Sequence, residues 1–251
     1  MIKIENVEVV GWEHAIRGMR NPKNSWDKSD SIYGTYWGDI DGHKCFDNDG
    51  FTLGNNDFDL MKRLRNAGTD HRKFMRMITA YLDITAPLYW WKEFDTYKVG
   101  TVANSCSTMH KIHAKEFTLD DFSIEHLISK EINFGLKKVS EFGWENTDPE
   151  GVDVDGNYMY PDYLVEMTID YLNHYRNLYL ETKDKKYWWQ MIQLLPSSYN
   201  QKRTVMLNYE VLANMYKSRK HHKLDEWRNF CEWVKQLPYS ELIIGREETN
   251  E

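Results

Sequence analysis

The chain has 251 residues, ten Trp and a formal charge of −7. Its length gives one large domain or two small ones with ample core, and 41% apolar against 28% charged residues excludes a disordered chain. The negative balance excludes broad affinity for a nucleic-acid backbone or an anionic membrane, while leaving room for a local basic site that takes one phosphate. The opening Met1–Val10 stretch lacks a secretory apolar core, being interrupted by Glu5 and Glu8, and no apolar run is long enough to span a bilayer. Three cysteines, Cys45, Cys106 and Cys231, are odd in number and far apart, which predicts a reducing, cytoplasmic setting.

With no internal repeat and no low-complexity linker, residues 1–251 are expected to form a single domain. Val7 to Ile16 is apolar enough for a strand or a strand-to-helix start. Residues 21–57, rich in Gly, Asp, Asn and Ser, are expected to be loop. Helix begins near Phe58, where Leu60, Met61 and Leu64 recur at helical spacing, and Gly68 stops it. A second helix is expected over residues 70–84. Pro87 fits the first turn of a third, from Leu88 to about Tyr97, with Tyr89, Trp90 and Trp91 buried or at a subunit contact. Residues 123–142 look helical, and Asp153 to Gly156 a turn. Pro161 opens a long helix with Leu164, Met167, Tyr171, Tyr175 and Leu178 on one face. Another helix precedes Pro196, a short strand covers Thr204 to Leu207, and helix follows from Asn208 to Arg219. A last helix gathers Leu224, Trp227, Phe230, Cys231, Val234 and Leu237 on one side. The sum is a helix-rich α+β protein.

Several constellations invite chemistry. Cys106, His110 and His113 would share a helix face and are zinc-ligand types, but Ser and Thr around Cys106 disfavour a helix and no fourth ligand is evident, so no metal is expected. Gly151 to Asp162 partly resembles a calcium loop but lacks its first carboxylate and its bidentate Glu, which favours a solvated turn. The acidic string Asp39, Asp41, Asp47, Asp49 reads as surface loop. His221 and His222 sit in a basic run at a helix end, where cations oppose the dipole or clamp a phosphate. The segment from Glu93 to Lys111 is crowded with small polar side chains: Thr101, Asn104, Ser105, Ser107 and Thr108.

Three segments together resemble the flavin-dependent thymidylate synthases. They are Leu60 through Gly68 to His71, with Phe74 and Ala86-Pro87; the polar segment after Glu93; and Leu195-Pro196 followed by Asn208, Asn214 and Arg219. The chain departs from that family where Thr96-Tyr97-Lys98 replaces Arg-His-Arg, where Thr108 or Met109 replaces an Arg, and where Glu210 replaces another. The resemblance implies a central twisted sheet flanked by helices, a homotetramer with sites where subunits meet, and a nucleotide site. That site is expected from Lys98, Thr101, Asn104, Ser105, Ser107, Thr108, Asn214 and Arg219, the neutral hydroxyls and amides cradling an anion with backbone N–H groups.

Arginine supplies a planar, permanently charged fork for phosphate, and each lost contact of that kind weakens binding by roughly 1.5–3 kcal/mol. A Glu210 carboxylate about 4 Å from a pyrophosphate would add about 4 kcal/mol of repulsion at an effective dielectric near 20. The expectation is therefore a protein that binds or sequesters a small-molecule nucleotide, such as a signalling nucleotide, with no tightly bound cofactor and no assigned catalytic residue. The alternative is an active enzyme that modifies a pyrimidine deoxynucleotide with FAD.

Overall fold

The structure, a computed structural model, describes residues 2–40, 43–127, 135–140, 143–147, 158–159 and 161–245. In chain order it contains β1 (Lys3–Val10), α1 (Trp12–Arg20), β2 (Ile32–Ile40), β3 (His43–Thr52), α2 (Asn55–Asn66), β4 (Thr79–Pro87), α3 (Leu88–Phe94), β5 (Thr101–Ser105), β6 (Gly135–Ser140), β7 (Gly143–Thr147), β8 (Tyr158–Met159), α4 (Pro161–Thr182), α5 (Lys185–Leu194), β9 (Asn200–Asn208), α6 (Tyr209–Arg219), α7 (Asp225–Val234) and α8 (Glu241–Ile244). Short 3₁₀ turns lie at Trp26–Lys28 and Arg72–Arg76, among others. The chain divides into two compact units, one of Ile2–Ile84, Glu93–Asn104 and Arg203–Glu251, the other of Thr85–Lys92 and Ser105–Lys202.

The first unit carries most of an antiparallel four-stranded sheet, order β1-β4-β9-β5. Ala80, Leu82 and Ile84 of β4 are buried while Tyr81 is exposed, the period-two pattern of a half-buried strand. This corrects the helix expected over 70–84: the alternation, with Thr79, Ile84 and Thr85 β-branched, outweighs helical spacing. Residues 21–57 are not loop either, since β2 and β3 pair antiparallel with Ile40 opposite His43. In sequence the two strands are separated by Asp41-Gly42, a dipeptide typical of hairpins that lies outside the described residues. The turn from β1 into α1 uses Gly11 at φ 94°, where a Cβ would stand 2.0 Å from the Met77 carbonyl oxygen. On α7, Trp227, Phe230, Cys231 and Val234 are buried as the helical pattern requires, and burial pushes the Cys231 thiol up to about 11.

In the second unit α4 and α5 form a helical hairpin. Asp184 caps α5 by accepting from the Lys186 N–H at 2.9 Å. Ile169, Leu172 and Met191 are buried against Ile112, Phe117 and Phe122, with Val165, Tyr175 and Tyr179 packed around them. The inward face of α4 is thus turned from the expected one, for Leu164 and Tyr171 are half exposed. Helical spacing alone permits both stripes, and packing selects one. Asn173 of α4 bonds both the N–H and the carbonyl of Phe117 at 2.9 Å, fixing the chain before the hairpin. Trp90 and Trp91 are buried, and the Trp91 indole N–H donates to the Gln201 carbonyl at 2.9 Å. The helix expected over 123–142 is absent from the described part, where β6 pairs with β7 and β8. The turn at Asp153–Gly156 and most of the calcium-like loop lie outside the described residues, as does Asp41; the side chains of Asp39, Cys45, Asp47 and Asp49 do too.

His113 packs edge-on to Tyr179 at 4.9 Å, and its Nδ1 is buried with no partner among the described residues. Burial first, then the charges of Lys111, Lys183 and Arg176, push its imidazole below the ordinary value. A depressed histidine leaves the unfolded chain binding more protons, so stability falls as pH drops below about 6.5. Urea melts of wild type and His113→Gln across that range are expected to show a smaller acid loss in the variant. Equal losses would remove the histidine from the account.

Candidate functional site

Two charged clusters in the first unit organise the candidate residues. The first joins α3, the turn after it, and the end of α6. Glu93 Oε2 accepts from Arg219 Nη1 at 2.6 Å and from the Trp227 indole N–H at 2.9 Å, and lies 3.4 Å from His222 Nε2. Arg219 Nε donates to the Tyr97 hydroxyl at 2.9 Å, and its guanidinium carbon sits 4.7 Å from the Trp227 ring and 5.6 Å from that of Tyr97. His222 Nδ1 accepts from the Leu224 N–H at 3.2 Å, which leaves the ring hydrogen on Nε2, facing Glu93. Arg219 is thus held by a carboxylate, a phenol and two aromatic faces.

The second cluster lies at the start of α6. Asn208 caps that helix by accepting from the Val211 N–H at 3.0 Å. Gly100, at φ 81°, lets the chain entering β5 approach this cap: a Cβ there would stand 2.6 Å from Asn208 Nδ2. Glu210, in the first turn, accepts from Arg72 Nε at 3.3 Å and from Arg76 Nε. Arg72 Nη2 also donates to Asn214 Oδ1 at 3.1 Å. Burial alone would raise the Glu210 carboxyl, but the hydrogen bonds and charges of Arg76 and Arg72 outweigh it and hold it below the usual carboxylate range. This corrects the expectation that Glu210 opposes a pyrophosphate as a bare charge: two guanidiniums against one carboxylate leave the cluster positive.

The expected anion-binding residues fall as follows. Lys98 is exposed in the turn before Gly100. The Thr101 hydroxyl donates to the Tyr97 carbonyl. Asn104 and Ser105 are exposed along β5. In an extended strand Thr101 and Ser105 face one side and Asn104 the other, so residues 101–105 do not form the concave run of N–H groups that cradles an anion. In the second unit, Ser107 Oγ accepts from the Met109 and His110 N–H groups at 3.2 and 2.8 Å and lies 3.0 Å from His110 Nδ1. Thr108 is half-buried in the same turn. Asn214 joins the Arg72 cluster and Arg219 the Glu93 cluster, being five residues apart on different sides of α6. Residues 106–116 are turns, so Cys106, His110 and His113 share no helix face. No group of three or more His, Cys, Asp or Glu among the described residues is placed to hold a metal ion.

Glu93, Arg72, Arg76 and Trp227 were not expected here.

No protein-family model and no curated protein matches the sequence. Solved structures do. The flavin-dependent thymidylate synthase ThyX of Helicobacter pylori, solved with FAD and dUMP, aligns with a TM-score of 0.59 at 16% identity over 96% of this chain and 98% of that one. The UMP/dUMP methylase PolB of Streptomyces cacaoi, bound with 5-Br UMP, aligns with a TM-score of 0.53 at 12% identity over 94% and 88%. The chain has the flavin-dependent thymidylate synthase fold.

Glu210→Gln is expected to lower stability at neutral pH by about 1.5–3 kcal/mol, the usual worth of a hydrogen bond to a charged group. A carboxyl depressed in the folded state stabilises above its unfolded value and ceases to do so as pH falls through its folded one. The gap between wild type and variant in denaturant melts should therefore close in acid; a gap independent of pH would contradict the charge pairing.

Proposed function

We propose that the protein is a divergent member of the flavin-dependent thymidylate synthase family that binds a uridylate-type nucleotide and does not carry out the flavin reaction. The observation that supports this is the shared fold over nearly the whole length of structures solved with dUMP and with 5-Br UMP. The local chemistry agrees. Arg76 is more than half exposed beside Glu210, so its guanidinium can accept a phosphate, while Lys98 and the β5 side chains stay open to solvent. Arg219 serves in this proposal once it turns from Glu93.

FAD fits these residues poorly. The Thr96 hydroxyl donates to the Glu93 carbonyl at 2.7 Å and the Tyr97 hydroxyl accepts from Arg219, so both side chains that replace the family's Arg and His are spent internally. Holding a nucleotide without turning it over amounts to sequestration or sensing. One observation favours the alternative of an active FAD enzyme acting on a pyrimidine deoxynucleotide: the positive charge around Glu210 removes the repulsion that would have driven a pyrophosphate away.

Calorimetry with dUMP and UMP is expected to give saturable binding that weakens at least about tenfold in Arg76→Ala and in Arg219→Ala. No heat with either nucleotide would overturn the proposal. A stoichiometric yellow chromophore, or turnover of dUMP with a folate and a reductant, would establish the enzyme instead.

We further propose a homotetramer, in keeping with the abundance of Trp and Tyr. Light scattering at micromolar protein should give four times the chain mass; a monomer would refute it. No helix among the described residues is long and apolar enough to cross a membrane, and the proposed setting is cytoplasmic, without nucleic-acid or membrane partners.

A further inference from the structure

The first unit contains a hollow of about 810 Å³ between the end of α1, the turn at Trp26–Lys28, the outer side of α2, and α8. It is remote in role from the Glu93 and Glu210 clusters: none of their residues lines it. Its walls carry five cations and only two carboxylates, in a chain whose overall charge is negative.

Those cations are not equivalent. Arg20 is buried and neutralised by Asp57, its Nε 2.6 Å from Oδ1, and its other nitrogens hold the Ser25 and Lys28 carbonyls at 3.0 and 2.9 Å. Lys62 pairs with Asp59 at 2.7 Å. Arg65 donates to the Leu242 and Ile243 carbonyls at 3.2 Å, so its geometry is fixed, and it makes no ion pair with a carboxylate among the described residues. Lys28 and Arg63 are exposed; the Arg63 Nε donates to the Asp59 carbonyl at 3.4 Å and its charge acts on the Asp59 carboxylate, but neither side chain is in a close ion pair among the described residues.

Buried Arg20 holds the Lys28 backbone carbonyl, and α2 places Arg63 one helical turn from Asp59, so the two open cations are set on fixed backbone rather than on floppy loops. With Arg65 they leave about two charges in excess after Glu241 is counted, which matches a phosphate dianion and exceeds what a single carboxylate needs. The space is that of a ligand pocket. We propose that this hollow is a second anion site that takes the phosphate or pyrophosphate of a small phosphorylated molecule, with Lys28 and Arg63 as its principal contacts. Asn56 and Asn66, also in its wall, supply amide groups to the remainder of the ligand.

The probe is inorganic pyrophosphate, added to the full chain. Calorimetry is expected to show saturable binding that survives in Arg76→Ala and Arg219→Ala and weakens at least about tenfold in Lys28→Ala/Arg63→Ala. Both replaced side chains are exposed, so the fold should persist. Independently of any variant, pyrophosphate should protect Arg63 in wild type from phenylglyoxal, read on its peptide by mass spectrometry, whereas succinate at equal ionic strength should not. Absence of binding, equal affinity in the double variant, or equal protection by succinate would overturn the site. Loss of nucleotide binding elsewhere leaves these readouts unchanged.

Discussion

A carboxylate removed from water must be met by a cation, and the Glu210 side chain at the head of α6 imposes that requirement on everything around it. It is buried, and Arg72 and Arg76 converge on it from the short turn that precedes β4. That turn is tied in place because Met75 and Phe74 are themselves buried and because Tyr209 donates its backbone N–H to Ile78. The start of α6, the end of the turn and Ile78, just before β4, are therefore fixed together. The Asn208 cap and the close approach at Gly100 then place the beginning of β5 against the same helix end.

The Glu93 cluster solves a related problem in the opposite sense. Here the cation, Arg219, is three-quarters or more shielded, and the structure spends a carboxylate, a phenol and two rings on it. A guanidinium so well satisfied gives up several contacts when it turns to a ligand phosphate, and only the difference between the two sets of contacts appears as affinity. The ligand must also displace or tolerate Glu93, whose carboxylate would otherwise face the phosphate. Arg76 carries no such burden, since it is more than half exposed and shares Glu210 with Arg72. Within the proposed site it is the cheaper cation to recruit, although the family resemblance read from the sequence points first to Arg219.

What could be read from sequence follows the same physics. α2, α5, α6 and α7 declared themselves through apolar spacing, a glycine stop or an N-cap, all local signals. The helix expected over 70–84 gives way to β4, whose alternating burial at Ala80, Leu82 and Ile84 is set by its sheet partners and not by any local helical signal. The β2–β3 hairpin was hidden by its polar composition, although Asp41-Gly42 marked it. The functional residues divide by distance along the chain. Arg219, Asn208 and Asn214 sit on one helix and could be found from their spacing. Glu93 and Arg72 meet α6 across 126 and 138 residues of sequence, and no local pattern carries such a pairing.

Thr101, Asn104, Ser105 and Ser107 are expected to form a neutral anion cradle because of their small polar side chains, a property that says little about where backbone N–H groups point. In the structure Thr101 to Ser105 is an edge strand beside β9, so its N–H groups point alternately toward β9 and away from it instead of converging on one point; the Ser107 hydroxyl accepts from two N–H groups of its own turn. Neutral hydroxyls spent in this way compensate poorly for missing arginines. Charge for a phosphate has to come from elsewhere in the chain, and the two places where the described structure concentrates uncompensated cations are the Arg72–Arg76 pair and the hollow beside α2. A protein with net negative charge can keep such cations unpaired only where they are partly exposed, because hydration then bears their cost in the absence of ligand. Arg76, Lys28 and Arg63 all meet that condition, whereas Arg20 and Arg219 do not and are fully paired.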